Sequence, residues 1–146
     1  MGESELLDFE IHIRESSADD AWPVTMCYPE EDRRGEGVIH RPCSDAEVNR
    51  ARAWMESGYF DEDYVKQFGA ALFQGLFVGQ LKELYEGSRQ SSANRLRIRL
   101  IVDAPVLASI PWELLYDPGR GAFLALEGPF VRGASSTEPT RPLTVK

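Results

Sequence analysis

The sequence predicts an α/β or α+β fold: one mixed β-sheet with a long helix packed across one face. Three observations carry that expectation. Residues 7–14 and 95–102 alternate apolar and polar side chains, the period-two pattern of half-buried strands. Between them, apolar residues recur at spacings of three and four from Val65 to Tyr85, as on an amphipathic helix. The order strand, strand, helix, long helix, strand, short helix, paired strands then suits a layered domain.

Taken in order, residues 7–14 place Phe9, Ile11 and Ile13 on one face and Glu10, His12 and Arg14 on the other. Residues 16–20 are polar turn material. A second strand is expected at 22–28, antiparallel to the first, with Pro23 suited to a sheet edge or a strand start. Residues 29–37 read as a charged loop ending in glycine, and 38–40 as at most a short third strand. Ser44 followed by Glu47 fits a capping box, in which the serine oxygen accepts an open amide and the glutamate accepts the serine N–H. The helix it starts is expected over 45–56, stopping near Gly58. A longer helix follows over 62–86, with Asp61 as its cap. Gly69, Gly75 and Gly79 fall inside it, each costing up to about 1 kcal/mol of helix propensity relative to alanine. Their presence points to close backbone packing. Gly87 is the expected C-cap, and 88–94 a loop.

Residues 95–102 set Leu96, Ile98, Leu100 and Val102 against Arg95, Arg97 and Arg99. Ile101 interrupts the polar face, as in a central strand covered on both sides at its end. Asp103 is expected to cap a short turn or helix with Pro105 near its first turn. A brief helical turn follows at 112–116. Gly119-Arg120-Gly121 reads as a tight connection into a strand at 122–126, and Gly128-Pro129 as a turn into 130–132. Residues 133–142, rich in serine, threonine and proline, read as a linker, and 143–146 as the opening of another strand.

A chain of 146 residues with 42% apolar content can bury a core of its own. Its 24 acidic against 16 basic residues, net charge -8, disfavour a nucleic-acid footprint. Neither GxxxxGK[ST] nor GxGxxG is present to cradle phosphates, and Gly35-Glu36-Gly37 reads as loop material. No apolar run approaches a membrane span. The acidic start has no signal-peptide core, and Cys27 and Cys43 form no disulfide framework. A cytoplasmic protein with reduced thiols is expected. All but Lys66, Lys82 and Lys146 of the basic residues are arginine, which genomic composition bias explains.

Few residues invite chemistry. His40 and Cys43 are three apart, but a structural zinc site needs four ligands, which Cys27 and His12 would have to complete from other strands. No metal or cofactor is therefore expected. A histidine–cysteine pair must lie within hydrogen-bond reach, and nothing in the sequence brings one together. Glu113, beside Trp112, is expected to accept hydrogen bonds from loop amides or an arginine in a structural role, while the Trp112 ring enters the core. The face of Arg95, Arg97 and Arg99 is expected either to be solvated or to pair with acidic helices around Glu47 and Asp61.

Residues 96–132 carry the most specific pattern. An arginine-laced strand leads into Pro111-Trp112-Glu113-Leu114-Leu115, then Tyr116-Asp117-Pro118. Phe123-Leu124-Ala125-Leu126 follows, closing on Val131-Arg132. This stretch resembles the N-terminal part of CHAT domains, the caspase- and separase-like cysteine peptidase family of bacteria, and a weaker likeness extends upstream. The resemblance implies that residues 1–132 are the N-terminal part of such a domain, 133–142 a linker, and 143–146 the start of the catalytic part. It makes residues Pro111 to Asp117 an architectural motif. It also places the catalytic histidine and cysteine downstream, where this sequence has neither after Arg132. No catalytic residue is thus expected here. The implied function is the structural half of a CHAT-type endopeptidase whose parent answers to a sensor or repeat module. The implied partner is the C-terminal catalytic half, a partner chain, or a second copy docked on an exposed strand edge. The rival reading is a non-catalytic protein–protein interaction module or split-peptidase subunit.

Overall fold

The computed structural model describes residues 6–15, 21–40, 44–57, 62–93 and 95–133. The chain begins with β1 (Leu7–Ile13), β2 (Ala21–Tyr28), a 3-10 turn (Pro29–Glu31) and β3 (Arg33–His40). Three helices follow, α1 (Asp45–Ser57), α2 (Glu62–Leu76) and α3 (Gln80–Ser91). Then come β4 (Leu96–Val102), α4 (Pro105–Ala108), a 3-10 turn (Trp112–Leu114), β5 (Tyr116–Asp117), β6 (Ala122–Phe123), α5 (Leu124–Glu127) and β7 (Phe130–Gly133). The expectations for 16–20, Cys43, Gly58, Asp61 and 134–146 lie outside the described residues.

Five strands form one mixed sheet in the order β3-β2-β1-β4-β7. β3, β2 and β1 run antiparallel, while β1, β4 and β7 are parallel. The predicted alternation sorts the faces. Phe9, Ile11, Ile13, Val24, Met26, Tyr28, Ile39, Leu96, Ile98 and Leu100 are at most 2% exposed. They share a core with Phe68, Leu72, Phe73, Leu76, Leu81 and Tyr85 of α2 and α3. Phe9, Phe73, Phe77 and Tyr85 form an aromatic knot with ring centroids 4.6–6.1 Å apart. The β1–β2 ladder stops at Pro23: Arg14 N–H donates to its carbonyl at 2.9 Å, but proline has no N–H to return the bond. Pro23 therefore lies near the start of an interior strand, not on an edge.

Several local expectations are corrected. The long helix of 62–86 is two helices, broken at Gly79, whose φ of 55° and ψ of -128° suit glycine alone. The apolar repeat runs across this break because both helices face the same sheet. α3 then continues past Gly87 to Ser91, and Ala93 at φ 55° ends the turn beyond it. At Gly87 a Cβ would stand 2.7 Å from Arg33 Nη2, the mobile end of a side chain.

Residues 33–37 are strand, not loop. Gly35 and Gly37 lie on the core face of β3, where a Cβ would meet Leu81 at 3.3 and 2.7 Å. The glycines let α3 settle on the sheet. Residues 122–126 do not join the main sheet, since β6 pairs only with β5 in a two-stranded ribbon and 124–127 are helical. Gly133 belongs to β7, not to a linker. Ile101 is half-buried; β4 is interior to the sheet, but among the described residues its full burial is confined to the face of Leu96, Ile98 and Leu100. The α1 capping box does form, with Glu47 N–H donating to Ser44 Oγ at 3.1 Å and Ser44 N–H to Glu47 Oε1 at 2.8 Å.

Two glycine substitutions test which contacts are rigid. At Gly69 of α2 an added Cβ runs into the backbone carbonyl of Leu114, whereas at Gly37 it meets only the flexible end of Leu81. Gly69→Ala is expected to destabilise the fold by about 1–3 kcal/mol or more, as overpacking does. Gly37→Ala should cost less, because a side chain can yield. Urea unfolding of both variants should show this order; the reverse order would mean that α2 is free to move off Leu114.

Candidate functional site

The Pro111–Asp117 block is built downward from β4. After α4 the chain turns through Ile110, whose carbonyl accepts Trp112 N–H at 2.8 Å. The indole is fully buried, and its Nε1–H donates to Leu107 O at 2.9 Å. This satisfies the one polar atom that a core tryptophan carries. Leu115 is also fully buried, and Asp117 is 4% exposed.

Glu113 is held by an arginine, as expected. Arg132 Nη1 lies 3.2 and 3.1 Å from its two oxygens, and Nη2 donates to Ala108 O at 2.9 Å. One guanidinium thereby ties β7, α4 and the Trp112 turn together. Arg52 of α1 adds a bond to Ser109 O at 3.0 Å.

The arginine face of β4 does not reach the helices around Glu47. In-register carboxylates of β1 take its charges instead: Arg97 Nε to Asp8 Oδ1 at 2.7 Å and Arg99 Nη1 to Glu10 Oε2 at 3.3 Å. The Asp8 bond holds Arg97 still more firmly in its charged form. Arg95 reaches back to Ser92 O at 3.1 Å. Exposed pairs of this kind are screened by solvent and contribute little. The ladder therefore fixes register more than it supplies stability.

At the carboxyl ends of the same two strands the structure adds a pair that residue types alone left hidden. His12 Nε2 lies 2.7 Å from Asp103 Oδ2, and Asp103 N–H donates to Ile13 O at 2.8 Å. Asp103 therefore does not cap α4; the N-cap residue is Ala104, without a side-chain bond. A carboxylate-oriented imidazole has the form of a general base. Thr25 stands opposite His12 across β1–β2, and its hydroxyl accepts from Arg14 Nε at 3.4 Å.

Cys27 lies on the same sheet face as His12, opposite Glu10. Burial is the main force pushing its thiol above the ordinary value of 9.0; nearby Arg34 opposes this, while Glu10 and Asp32 add to it. At neutral pH it is therefore a thiol, not a thiolate. His40 lies in β3, and Cys43 falls outside the described residues. Among the described residues, no three histidine, cysteine, aspartate or glutamate side chains gather as metal ligands. No described helix is long and apolar enough to cross a membrane.

Replacing Trp112 by alanine should destabilise the domain by about 3–5 kcal/mol, the range for a fully buried large aromatic. Glu113→Gln, at a solvent-exposed pair, should change stability by no more than about 1 kcal/mol. Chemical denaturation of both would reveal a wrong assignment if the two shifts were alike. For Cys27, the raised thiol pKa predicts that alkylation stays slow at pH 8 and accelerates only above pH 9. Peptide mapping by mass spectrometry separates its reaction from that of Cys43. Labelling of Cys27 at pH 7 as fast as a free thiol would contradict its burial.

Compared with known proteins, the chain matches no family model, no curated protein and no solved structure. What stands on geometry is a mixed α/β sheet with helices on one face and a clamped Pro111–Asp117 block beside its outer parallel strand.

Proposed function

We propose that the chain is the structural, non-catalytic N-terminal half of a CHAT-type cysteine endopeptidase acting in the cytoplasm. Its task is to present a sheet edge on which the catalytic half assembles. The observation that carries this reading is the parallel edge. β7 pairs with β4 from Ile98↔Phe130 to Ile101↔Gly133 and is one of the two edge strands among the described residues, the parallel one, with β3 at the antiparallel edge. The outer N–H and C=O groups of an edge strand are a template for another strand. Val131 on that strand is 41% exposed, and the Arg132 clamp holds the strand in place against Glu113. The Pro111–Asp117 resemblance supplies the family, and with it a catalytic half as the occupant of the edge.

The chemistry of the described residues is consistent with this division of labour. His12 is committed to Asp103. Cys27 stands opposite Glu10 and His12 opposite Thr25, and among the described residues no hydrogen bond joins the two, whereas a cysteine peptidase needs its base within hydrogen-bond reach of its nucleophile. The rival reading, an interaction module that works without catalysis, draws on the same edge and on the helix-free sheet face. The two readings differ in the occupant.

Purified chain is expected to hydrolyse none of a panel of fluorogenic peptides. Co-expression with the polypeptide encoded beyond Lys146 should give a complex whose hydrolysis depends on a histidine and a cysteine of that second part. Cleavage by the chain alone, lost in Cys27→Ala or Cys43→Ala, would refute the scaffold reading. A stop codon after Lys146 together with a stable monomer by light scattering would favour the interaction module.

A further inference from the structure

The two edges of the main sheet are not alike. At the β3 edge, Gln80 Nε2 of α3 donates to the Glu36 carbonyl at 2.8 Å, and the strand carries Arg33, Arg34 and Glu36. Charges, and cover from a neighbouring helix, keep an edge from recruiting another strand. β7 reads Phe130-Val131-Arg132-Gly133 and has a single charge. That charge is folded back, since Arg132 is tied to Glu113 and to Ala108 O. Among the described residues no strand pairs with the outer side of β7.

The ladder with β4 fixes which groups β7 leaves free. Ile98 N–H donates to Pro129 O at 3.0 Å, so in this parallel ladder Val131 turns its N–H and C=O toward β4. Those of Phe130 and Arg132 then point away from the sheet. The side chains follow the same register. Phe130 stands beside Ile98 and Arg132 beside Leu100, on the helix-covered face, while Val131 stands beside Arg99 on the opposite face. Val131 is 41% exposed, and Phe130 is half-buried at the margin of the core.

This edge is complementary to itself. When a second copy lies antiparallel to β7 about a two-fold axis through Val131, Phe130 of each copy stands opposite Arg132 of the other. Both residues turn their free N–H and C=O groups toward that neighbour, as the hydrogen-bonded pairs of an antiparallel ladder require. The Arg132 stem and guanidinium then cover the exposed edge of the Phe130 ring. On the opposite face Val131 meets the second copy's Val131, a β-branched cross-strand pair that favours pairing. No like charges stand directly opposite, because each Arg132 faces a phenylalanine and keeps Glu113 of its own chain.

We propose that β7 pairs with β7 of a second copy of this chain, joining two sheets into one across a two-fold axis. A two-fold contact of this kind uses one patch on both subunits and closes it. The proposal rests on the reading of β7 as the assembly edge and adds its regulation. One edge accepts one strand, so a second copy and a catalytic half compete for it. The paired strand is short, and the association is therefore weak and dependent on concentration.

Sedimentation equilibrium of the full chain from about 1 μM to 1 mM is expected to show monomer and dimer in exchange. Val131→Lys and Val131→Glu each set like charges opposite one another at the axis, and each should weaken the dimer about fivefold or more. An equimolar mixture of the two variants should restore it as a mixed dimer. Val131→Cys gives a second readout: residues at the axis form a non-hydrogen-bonded pair, close enough for a disulfide between copies on mild oxidation, which peptide mapping distinguishes from bonds made by Cys27 or Cys43. The proposal is overturned by a chain that stays monomeric throughout, by a dimer that neither charge weakens, by a mixture that does not reassociate, or by failure of the 131–131 disulfide to form. A monomeric chain would remove the dimer alone, because assembly with a catalytic half is read separately by co-expression.

Discussion

The rest of the molecule depends on the parallel pairing of β1 with β4. Seven residue pairs, from Leu7↔Leu96 to Ile13↔Val102, bring together segments whose side-chain contacts are 89 residues apart in sequence. Parallel strands need a crossover, and here everything from β2 to α3 lies within it. Once the register is set, Phe9, Ile11 and Ile13 share a face with Leu96, Ile98 and Leu100. On the other face Asp8 meets Arg97 and Glu10 meets Arg99. A slip by one residue would bury those charges and expose the apolar set.

Close backbone approach then decides where the helices sit. Leu81 enters the space left by Gly35 and Gly37, so α3 lies on β3, and Gly69 lets α2 touch the Leu114 carbonyl. These contacts connect the sheet to the Trp112 turn, whose buried ring and single hydrogen bond make it an anchor. From that anchor, Glu113 and Arg132 position the outer strand β7. The proposed assembly edge is thus supported by the same core that α2 and α3 complete.

Charge is distributed in pairs rather than in one field. The acidic excess of the sequence, -8 overall, coexists with arginines that nearly all meet a carboxylate, a carbonyl or a hydroxyl where the structure describes their contacts.

Period-two alternation was enough to place β1 and β4 and to sort their faces, because a strand with one buried face must alternate. The Ser44–Glu47 capping box and the core position of Trp112 were legible for equally local reasons: a capping pair needs only four residues, and a large aromatic between apolar neighbours has nowhere else to go. The break at Gly79 was hidden because two helices that face one sheet continue a single apolar rhythm. The end of β3 was legible at 38–40, but its first half was hidden because the core face there is Gly35 and Gly37, and glycine reads as loop until Leu81 is seen to fill the space. His12 with Asp103, the β1 carboxylates with the β4 arginines, and Arg89 with Glu127 join residues far apart in sequence. Local pattern defined the faces of each element; only the parallel register and the packing of α3 decided which charges would meet, because nothing within a strand or helix specifies its neighbour.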